Sequence, residues 1–332
     1  MDTIPSFSVP VKISDKAKTR SGLAWFWRTN APLTLLGVLM LMMLGGSIVG
    51  FFVDPTIITG VNGWIKPAKF AISLAIYSFT LVWLLSFIRG HGRLVKFASY
   101  TTTIMFIIET IIIIMQVLRN TTSHFNTATP FDSAAFSIMG MAIVILMCAT
   151  MLIGVLLLLQ KDLPNPAFGW SLRLGLFLVL VGMGLGFLMT SPSEAQLSLM
   201  QANGVLTSNG AHSVGVIDGG PGLPLLGWST VGGDLRIPHF VGLHALQILP
   251  LLGWLISRLP LRRSQQVGLV WTVGLGYFGI LMTLTWQAER GQSIIAPDAL
   301  TLTAFGLVIS AVLVVSLIIV WWQPRSRKLR VA

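Results

Sequence analysis

Long runs of hydrophobic residues, separated by short polar segments, dominate the pattern of this chain. A helix that crosses a lipid bilayer needs roughly 20 mainly apolar residues, because backbone polar groups in hydrocarbon must be bonded within their own segment. Eight runs meet this requirement, and they cover approximately residues 31–53, 67–88, 97–118, 133–160, 172–190, 238–257, 267–288 and 300–322. The pattern therefore predicts an all-α, polytopic integral membrane protein with eight transmembrane helices.

Composition agrees with this prediction. Hydrophobic residues make up 54% of the 332 residues and charged residues only 10%, with a mean hydropathy of +0.81, whereas about 25% of the residues in a soluble domain are charged. Residues 1–30 are polar and basic, and no small-residue cleavage site follows them, so we expect a tail and a retained first helix. Cys148 is the only cysteine, which excludes an intramolecular disulfide and a thiolate-based zinc site.

The net charge of +11 is explained by topology. Most of the lysine and arginine residues lie in alternate connections and in the two tails, at residues 12–28, 89–96, 161–173, 258–263 and 325–330. The positive-inside rule assigns these segments to the cytoplasm. We therefore expect both termini to be cytoplasmic, a bacterial inner (plasma) membrane as the location, the lipid bilayer as a partner, and no nucleic-acid partner.

The two halves of the chain match each other at a fixed offset. An offset of 171 residues aligns several uncommon residues: Pro67 with Pro238, Trp83 with Trp254, Gln116 with Gln287, and Arg119 with Arg290. For the first helix of each half the offset is 136, which aligns two Gly-x-x-x-Gly pairs, Gly46 to Gly50 and Gly182 to Gly186. Such pairs let helices approach closely.

This match predicts two tandem four-helix repeats, residues 31–165 and 172–322, with a cytoplasmic tail at 1–30 and a basic cytoplasmic tail at 323–332. Residues 191–236 are then an extracytoplasmic insertion in the second repeat. Because each repeat has an even number of helices, the two are parallel. The insertion is rich in glycine and proline, so we expect either a lid without long helices over the outer mouth or an interfacial hairpin anchored by Trp228.

A repeated Gln-x-x-Arg motif marks the outer end of the third helix in each half: Gln116 to Arg119 and Gln287 to Arg290. A spacing of three places both side chains on one helical face. Arg236 lies at the start of the second helix of the second half. A guanidinium group matches carboxylate or phosphate geometry, so these residues are candidates to bind an anionic group. Alternatively, the arginines reach lipid phosphates.

Histidines on the outer side are candidate ligands. His239, His244 and Gln247 belong to the sixth predicted helix, where His239 and His244 point about 140° apart. His124 follows the first Gln-x-x-Arg motif and is the better partner for a histidine of that helix. A buried imidazole indicates an axial haem ligand, a transition-metal ligand or a proton relay. A hydrogen bond to a neighbouring helix is the structural alternative.

Glu109 is the only acid within a predicted span. An ionised carboxylate there costs several kcal/mol, so we expect it to be protonated or paired. Gln116 is seven residues further and lies on the same face, which predicts a polar track from mid-membrane to the outer surface. Glu109 is therefore the candidate catalytic or proton-coupling residue. A protonated carboxyl bonded to a backbone carbonyl would instead be structural.

Sequence signatures of soluble enzymes are absent: the chain has no phosphate-binding Gly-Lys-Ser/Thr loop, nucleophile elbow, His-Glu-x-x-His or dinucleotide fingerprint. Eight helices in two parallel halves with outer histidines and arginines resemble the architecture of the haem A synthases. The resemblance covers topology across the chain, and it implies a haem site. The histidine-arginine and Glu-x-x-x-His signatures of that family do not occur here.

Three functional hypotheses follow. The first is an extracytoplasmic-side intramembrane site for a redox cofactor (haem or a metal) or an anionic amphipathic ligand, with an oxidoreductase activity as one outcome. His124, His239 and His244 would be ligands, and the arginines and glutamines would bind propionate or headgroup oxygens. The second is a transporter of an anionic or lipid-like solute in which Glu109 couples protons. The third is a non-catalytic scaffold or receptor.

Overall fold

The computed structural model describes residues 22–204 and 206–321 and is all-α apart from two short antiparallel strand pairs. The prediction of eight helices long and apolar enough to span a membrane is confirmed. These helices are α2 (Ala31–Val53), α3 (Ile65–Leu85), α4 (Gly92–Leu118), α5 (Pro130–Leu158), α6 (Pro166–Gly186), α8 (Arg236–Ser257), α9 (Arg263–Glu289) and α10 (Ala299–Trp321). A 3₁₀ turn, Phe187–Thr190, extends α6.

Smaller elements lie between them. Helix α1 (Leu23–Thr29) occupies part of the segment predicted to be a polar tail, and α7 (Glu194–Asn203) lies in the insertion. Strands β1 (Ile57–Ile58) and β2 (Val61–Asn62) form one antiparallel hairpin. Strands β3 (Ser213–Val214) and β4 (Gly233–Asp234) form another antiparallel pair. Residues 1–21 of the predicted N-terminal tail and the predicted tail at 323–332 lie outside the described residues.

Asparagine and threonine caps fix the start of three long helices. The side chains of Asn30, Thr129 and Asn165 accept hydrogen bonds from backbone N–H groups of α2, α5 and α6, and a proline follows each cap within two residues. A proline in the first turn has no N–H to leave unsatisfied, so this arrangement suits a helix start. Helices α4 and α9 begin four or five residues before their apolar runs, because polar residues continue the backbone hydrogen bonding.

The long helices pack against their sequence neighbours and one helix further. In the first half α2 packs against α3 and α4, and α4 packs against α5. In the second half α6 packs against α8 and α9, and α9 packs against α10. Helix α5 also packs against α6 and joins the halves. The largest core cluster includes Leu81 of α3, Ile153 of α5 and Leu172 of α6, so the two halves share one apolar interior.

Helices α6 and α8 approach each other closely where two glycines meet. A β-carbon on Gly182 of α6 would lie 2.7 Å from the Cα of Gly242 on α8. Four residues later, a β-carbon on Gly186 would lie 3.1 Å from the ring of His239. The Gly-x-x-x-Gly pair of α6 therefore brings α8 into direct contact, as small residues do in membrane bundles.

The described residues of the segment 191–235, which we call the cap, fold over one end of the bundle. This capped end is the one where α3, α5, α8 and α10 begin. The cap contacts the first half as well as its own: Lys69 donates to the carbonyl of Leu226 at 3.0 Å, and a β-carbon on Gly60 would lie 2.7 Å from the carbonyl oxygen of Gly219. Thr127 also donates to the carbonyl of Leu206. The cap therefore bridges both halves.

Candidate functional site

Glu109 lies in the interior of the first half, on α4, and is only 2% exposed. Within the described part of the chain, neither carboxyl oxygen has a hydrogen-bond partner. The charged group that acts on it is the ammonium of Lys66, which lies beyond ion-pair distance at the start of α3. A buried polar group without a hydrogen bond is costly, and its position in a native interior calls for an explanation.

Lys66 connects this interior to the capped end. Its Nζ donates to Nδ1 of His124 at 3.0 Å, and the hydroxyl of Ser123 lies 3.1 Å from the same nitrogen. Phe70 packs beside the imidazole, with ring centroids 5.9 Å apart. Because an ammonium group only donates, Nδ1 is the acceptor and the ring proton of neutral His124 is on Nε2. Glu109, Lys66 and His124 therefore form a series of ionisable groups leading outward.

His124 is held in its neutral form. Burial lowers its pKa well below the ordinary value, and the nearby charges of Lys66, His212 and His239 lower it further. A neutral imidazole with one acceptor nitrogen and one donor nitrogen can pass a proton between two neighbours. His124 therefore has the electronic state that a proton relay needs at neutral pH.

His212 of the cap forms a second pair beside His124. Its Nδ1–H donates to Oδ2 of Asp218 at 2.9 Å, and its ring lies 4.9 Å from the ring of Phe125. Burial lowers the pKa of His212. For Asp218, burial alone would raise the pKa, but hydrogen bonds from His212 and from the backbone of Ser213 bring it below its ordinary value. The pair is thus a neutral imidazole donating to a carboxylate.

The three candidate residues of α8 have different surroundings. Nδ1 of His239 donates to the carbonyl of Gly182 at 2.8 Å, so Nε2 is the acceptor nitrogen. His244 is exposed on the opposite side of the helix, as expected from five residues of helical rotation. Gln247 donates to Thr80 of α3 at 3.3 Å, and its buried Oε1 has no partner in the described chain. The structure therefore brings His239, but not His244, toward His124.

The first Gln-x-x-Arg motif binds a carboxylate of the protein itself. Asp132, in the first turn of α5, accepts from Gln116 Nε2 at 2.8 Å and from Arg119 Nη1 at 2.5 Å. Thr129 donates to its other oxygen at 2.6 Å. Arg119 also stacks on Phe131, 4.4 Å from the ring centroid. The motif thus ties the end of α4 to the start of α5, a structural role that needs no external ligand.

The second motif makes the equivalent connection. Arg290 pairs with Asp298, just before α10, and donates to Thr301 at 3.1 Å. The hydrogen bond from Arg290 lowers the pKa of Asp298 below its ordinary value. Gln287 is buried and donates to the carbonyl of Ser293 at 2.9 Å, leaving its Oε1 without a partner among the described residues. In both halves, then, the arginine joins the third helix to the fourth.

Arg236 is also engaged. Its Nε donates to Oδ1 of Asp234 at 2.9 Å, and Nη2 donates to Oδ2 at 2.6 Å and to the carbonyl of Gly227. Asp234 has a fully buried side chain. This pair fixes the base of the cap to α8. Among the described residues, Lys66 and Lys69 are the cations of the capped end that make no ion pair.

The positions of the histidine, cysteine and acidic side chains bear on metal binding. No group of three His, Cys, Asp or Glu side chains within residues 22–204 and 206–321 is arranged to hold a metal ion. Three carboxylates that were not predicted to be arginine partners are Asp132, Asp234 and Asp298. Lys66 was not predicted to belong to the site either. The electrostatic effect of Lys66 on Glu109 has no local sequence signal, since the two residues are on different helices.

Comparison of the chain with protein-family models, with curated proteins and with solved structures finds no match. The site is therefore interpreted from its own geometry.

Proposed function

We propose that this chain is an integral membrane transporter, in which Glu109 couples protons to the movement of an anionic or lipid-like solute. The observation behind the proposal is the buried carboxyl of Glu109, which has no hydrogen bond within residues 22–204 and 206–321 and is influenced by the charge of Lys66. Lys66 in turn is bonded to His124 at the capped end.

The membrane topology proposed for this function is eight spans in two parallel four-helix repeats. Eight apolar helices of 21 to 29 residues support the spans. The same order of helix packing in the two halves supports the repeat, as does the matching use of Arg119 and Arg290 to join the third helix to the fourth. The positive-inside rule supports cytoplasmic termini, with the cap on the extracytoplasmic side of a bacterial inner membrane.

The chemistry of two buried ionisable groups, Glu109 and Lys66, supports proton coupling. In hydrocarbon, Glu109 and Lys66 avoid a net charge either as carboxylate and ammonium or as carboxylic acid and amine. Both forms hold one proton between them, so transfer of that proton changes the local polarity without changing the net charge. His124 is placed to exchange this proton with the capped end, because its Nδ1 already contacts the lysine.

The solute class is inferred from the uncompensated cations. Lys66 and Lys69 are three residues apart, on one face of α3, and neither makes an ion pair among the described residues. A solute with a carboxylate or phosphate group would supply the missing counter-charge. Lys69 also holds the cap through the carbonyl of Leu226, so an anion that binds Lys69 competes with the contact that keeps the cap closed.

Transport is tested with purified protein in proteoliposomes under an imposed pH gradient. Succinate, inorganic phosphate and a short-chain phosphatidic acid are suitable probes for the dicarboxylate, phosphate and lipid-like classes. We expect gradient-dependent uptake of one class that is lost in Glu109→Gln and retained in Glu289→Gln, since Glu289 is exposed. Uptake that is equal in both variants, or absent for all three probes, contradicts the proposal.

A second candidate function, binding of a redox cofactor at His239, is favoured by one observation. The Nδ1–H of His239 is held by the carbonyl of Gly182, which is how ligating imidazoles are commonly oriented while Nε2 binds a metal. An absorbance scan of protein purified from haem-supplemented cells tests it. A Soret band that disappears in His239→Ala and persists in His244→Ala supports haem binding, whereas absence of the band removes this candidate.

A further inference from the structure

One face of α4 carries buried polar side chains along most of its length. Ser99, Thr102, Glu109 and Gln116 are separated by three or seven residues, which places them on the same face. All four are at most 2% exposed. Between Ser99 and Gln116 this face extends for about 26 Å, which approaches the thickness of the hydrocarbon core. Buried polar side chains are unusual at such density in an apolar helix, so their alignment calls for a role.

At the end of the bundle opposite the cap, this face of α4 ends at Ser99, which is hydrogen-bonded to a residue of another helix cap. Asn30, the residue that caps α2, donates through Nδ2 to the hydroxyl of Ser99 at 2.6 Å. Ser99 in turn donates to the carbonyl of Val95 at 2.8 Å. The helix α1 residues that precede Asn30, such as Trp27 and Arg28, are exposed. A hydrogen-bonded chain therefore begins close to the surface at the opposite end.

Thr102 lies one helical turn further along the same face, three residues after Ser99. Its hydroxyl is fully buried and has no hydrogen-bond partner in the described chain. A buried hydroxyl without a partner can still donate or accept when a proton or a water molecule passes. It thus resembles Glu109 in being a polar group that the static packing leaves unsatisfied.

The interval between Thr102 and Glu109 spans about 10 Å along the helix. Phe106 occupies this interval on α4, and its ring packs against Tyr77 of α3 with centroids 5.4 Å apart. The hydroxyl of Tyr77 lies 3.5 Å from the hydroxyl of Thr150 on α5. The hydroxyl groups of Tyr77 and Thr150 therefore lie close to the apolar interval at Phe106.

We infer that Asn30, Ser99, Thr102 and Tyr77 form the route by which Glu109 exchanges its proton with the end opposite the cap. This inference rests on the proposed function, since it takes Glu109 as the proton carrier. It adds the second half of the path: Lys66 and His124 lead to the capped end, and the α4 face leads to the other. A proton that enters at either end then reaches the same carboxyl, as coupling across a membrane requires.

The experiment measures hydrogen exchange of the Glu109 carboxyl by infrared spectroscopy of the full-length protein. The C=O stretch of a protonated carboxyl shifts when its proton is replaced by deuterium, and the Glu109→Gln difference spectrum identifies the band. Lys66→Met removes the route to the cap, so exchange in that background reports the remaining route. Thr102→Val is then added, because valine has the shape of threonine without its hydroxyl.

We expect Thr102→Val to slow the exchange at least tenfold in the Lys66→Met background. Thr110→Val is the matched control, since Thr110 is also buried on α4 but its hydroxyl already donates to the sulfur of Met40. Ser99→Ala provides a second test of the same route. Exchange as fast in Thr102→Val and Ser99→Ala as in Thr110→Val overturns the inference. If no band depends on Glu109 protonation, the proposed function fails instead.

Discussion

Replacement of Gly182 by alanine tests the contact that holds α6 against α8. A β-carbon at this position would lie 2.7 Å from Cα and the carbonyl carbon of Gly242, and 2.8 Å from the backbone nitrogen of Leu243. All three atoms belong to the backbone, so no side-chain rotation relieves the overlap. Ordinary contact begins at 3.4 Å, which means that the helices must separate by about 0.7 Å.

The expected cost follows from this separation. A gap of that size forfeits roughly a quarter to a half of the attraction between facing atom pairs, and overpacking of a tight interior costs about 1–3 kcal/mol. The higher helix propensity of alanine offsets part of this overpacking cost, since alanine stabilises a helix by roughly 0.5–1 kcal/mol relative to glycine. We therefore expect Gly182→Ala to lower the free energy of unfolding by about 1–2 kcal/mol.

Gly184→Ala is the matched control on the same helix. A β-carbon on Gly184 meets no atom within 4 Å, so only the gain in helix propensity remains. The assay is unfolding of the purified protein in mixed micelles with increasing SDS, followed by circular dichroism. The reasoning is refuted if Gly182→Ala unfolds at the same SDS fraction as Gly184→Ala, or at a higher one.

Two further predictions concern the acids of the capped end. Asp132→Asn should lower the free energy of unfolding by about 2 kcal/mol, because it removes a charge that accepts three side-chain hydrogen bonds. The control Asp162→Asn changes an exposed residue and should have no effect in the same SDS assay. The pKa of Asp218 is lower in the folded protein than in the unfolded chain. The carboxylate therefore contributes fully to the free energy of unfolding above the ordinary pKa of about 3.9, and this contribution is lost as the pH falls through the pKa of the folded protein. The backbone N–H groups of His212 and Ser213 donate to Asp218, so their protection from hydrogen exchange should decline as the pH falls through this range. Protection that does not change with pH and equals that in Asp218→Asn would contradict the role given to the Asp218 carboxylate.

Much of the helical framework was predictable because its causes are local. The eight helices follow from apolar runs of sufficient length, and the caps at Asn30, Thr129 and Asn165 follow from residue type next to proline. The buried position of Glu109 and its alignment with Gln116 follow from helical periodicity, since both residues share one face of α4.

The partners of the charged residues were not predictable. Arg119 was a candidate to bind an external anion, yet its partner is Asp132, 13 residues away around a loop. Arg236 is bonded to Asp234 only because the cap turns back over the start of α8. The choice between a ligand and an internal carboxylate depends on loop conformation, which residue spacing does not fix.

The residue pattern along the chain was enough to define the eight long helices and the residues that share a helical face, because backbone hydrogen bonding and side-chain periodicity act within one segment. The contact of Lys66 with His124, the hydrogen bond from His239 to Gly182 and the exposure of His244 emerge only when the helices pack together. These contacts depend on how helices rotate and approach one another. That rotation is set by packing between residues far apart in the chain, such as Gly182 against Gly242.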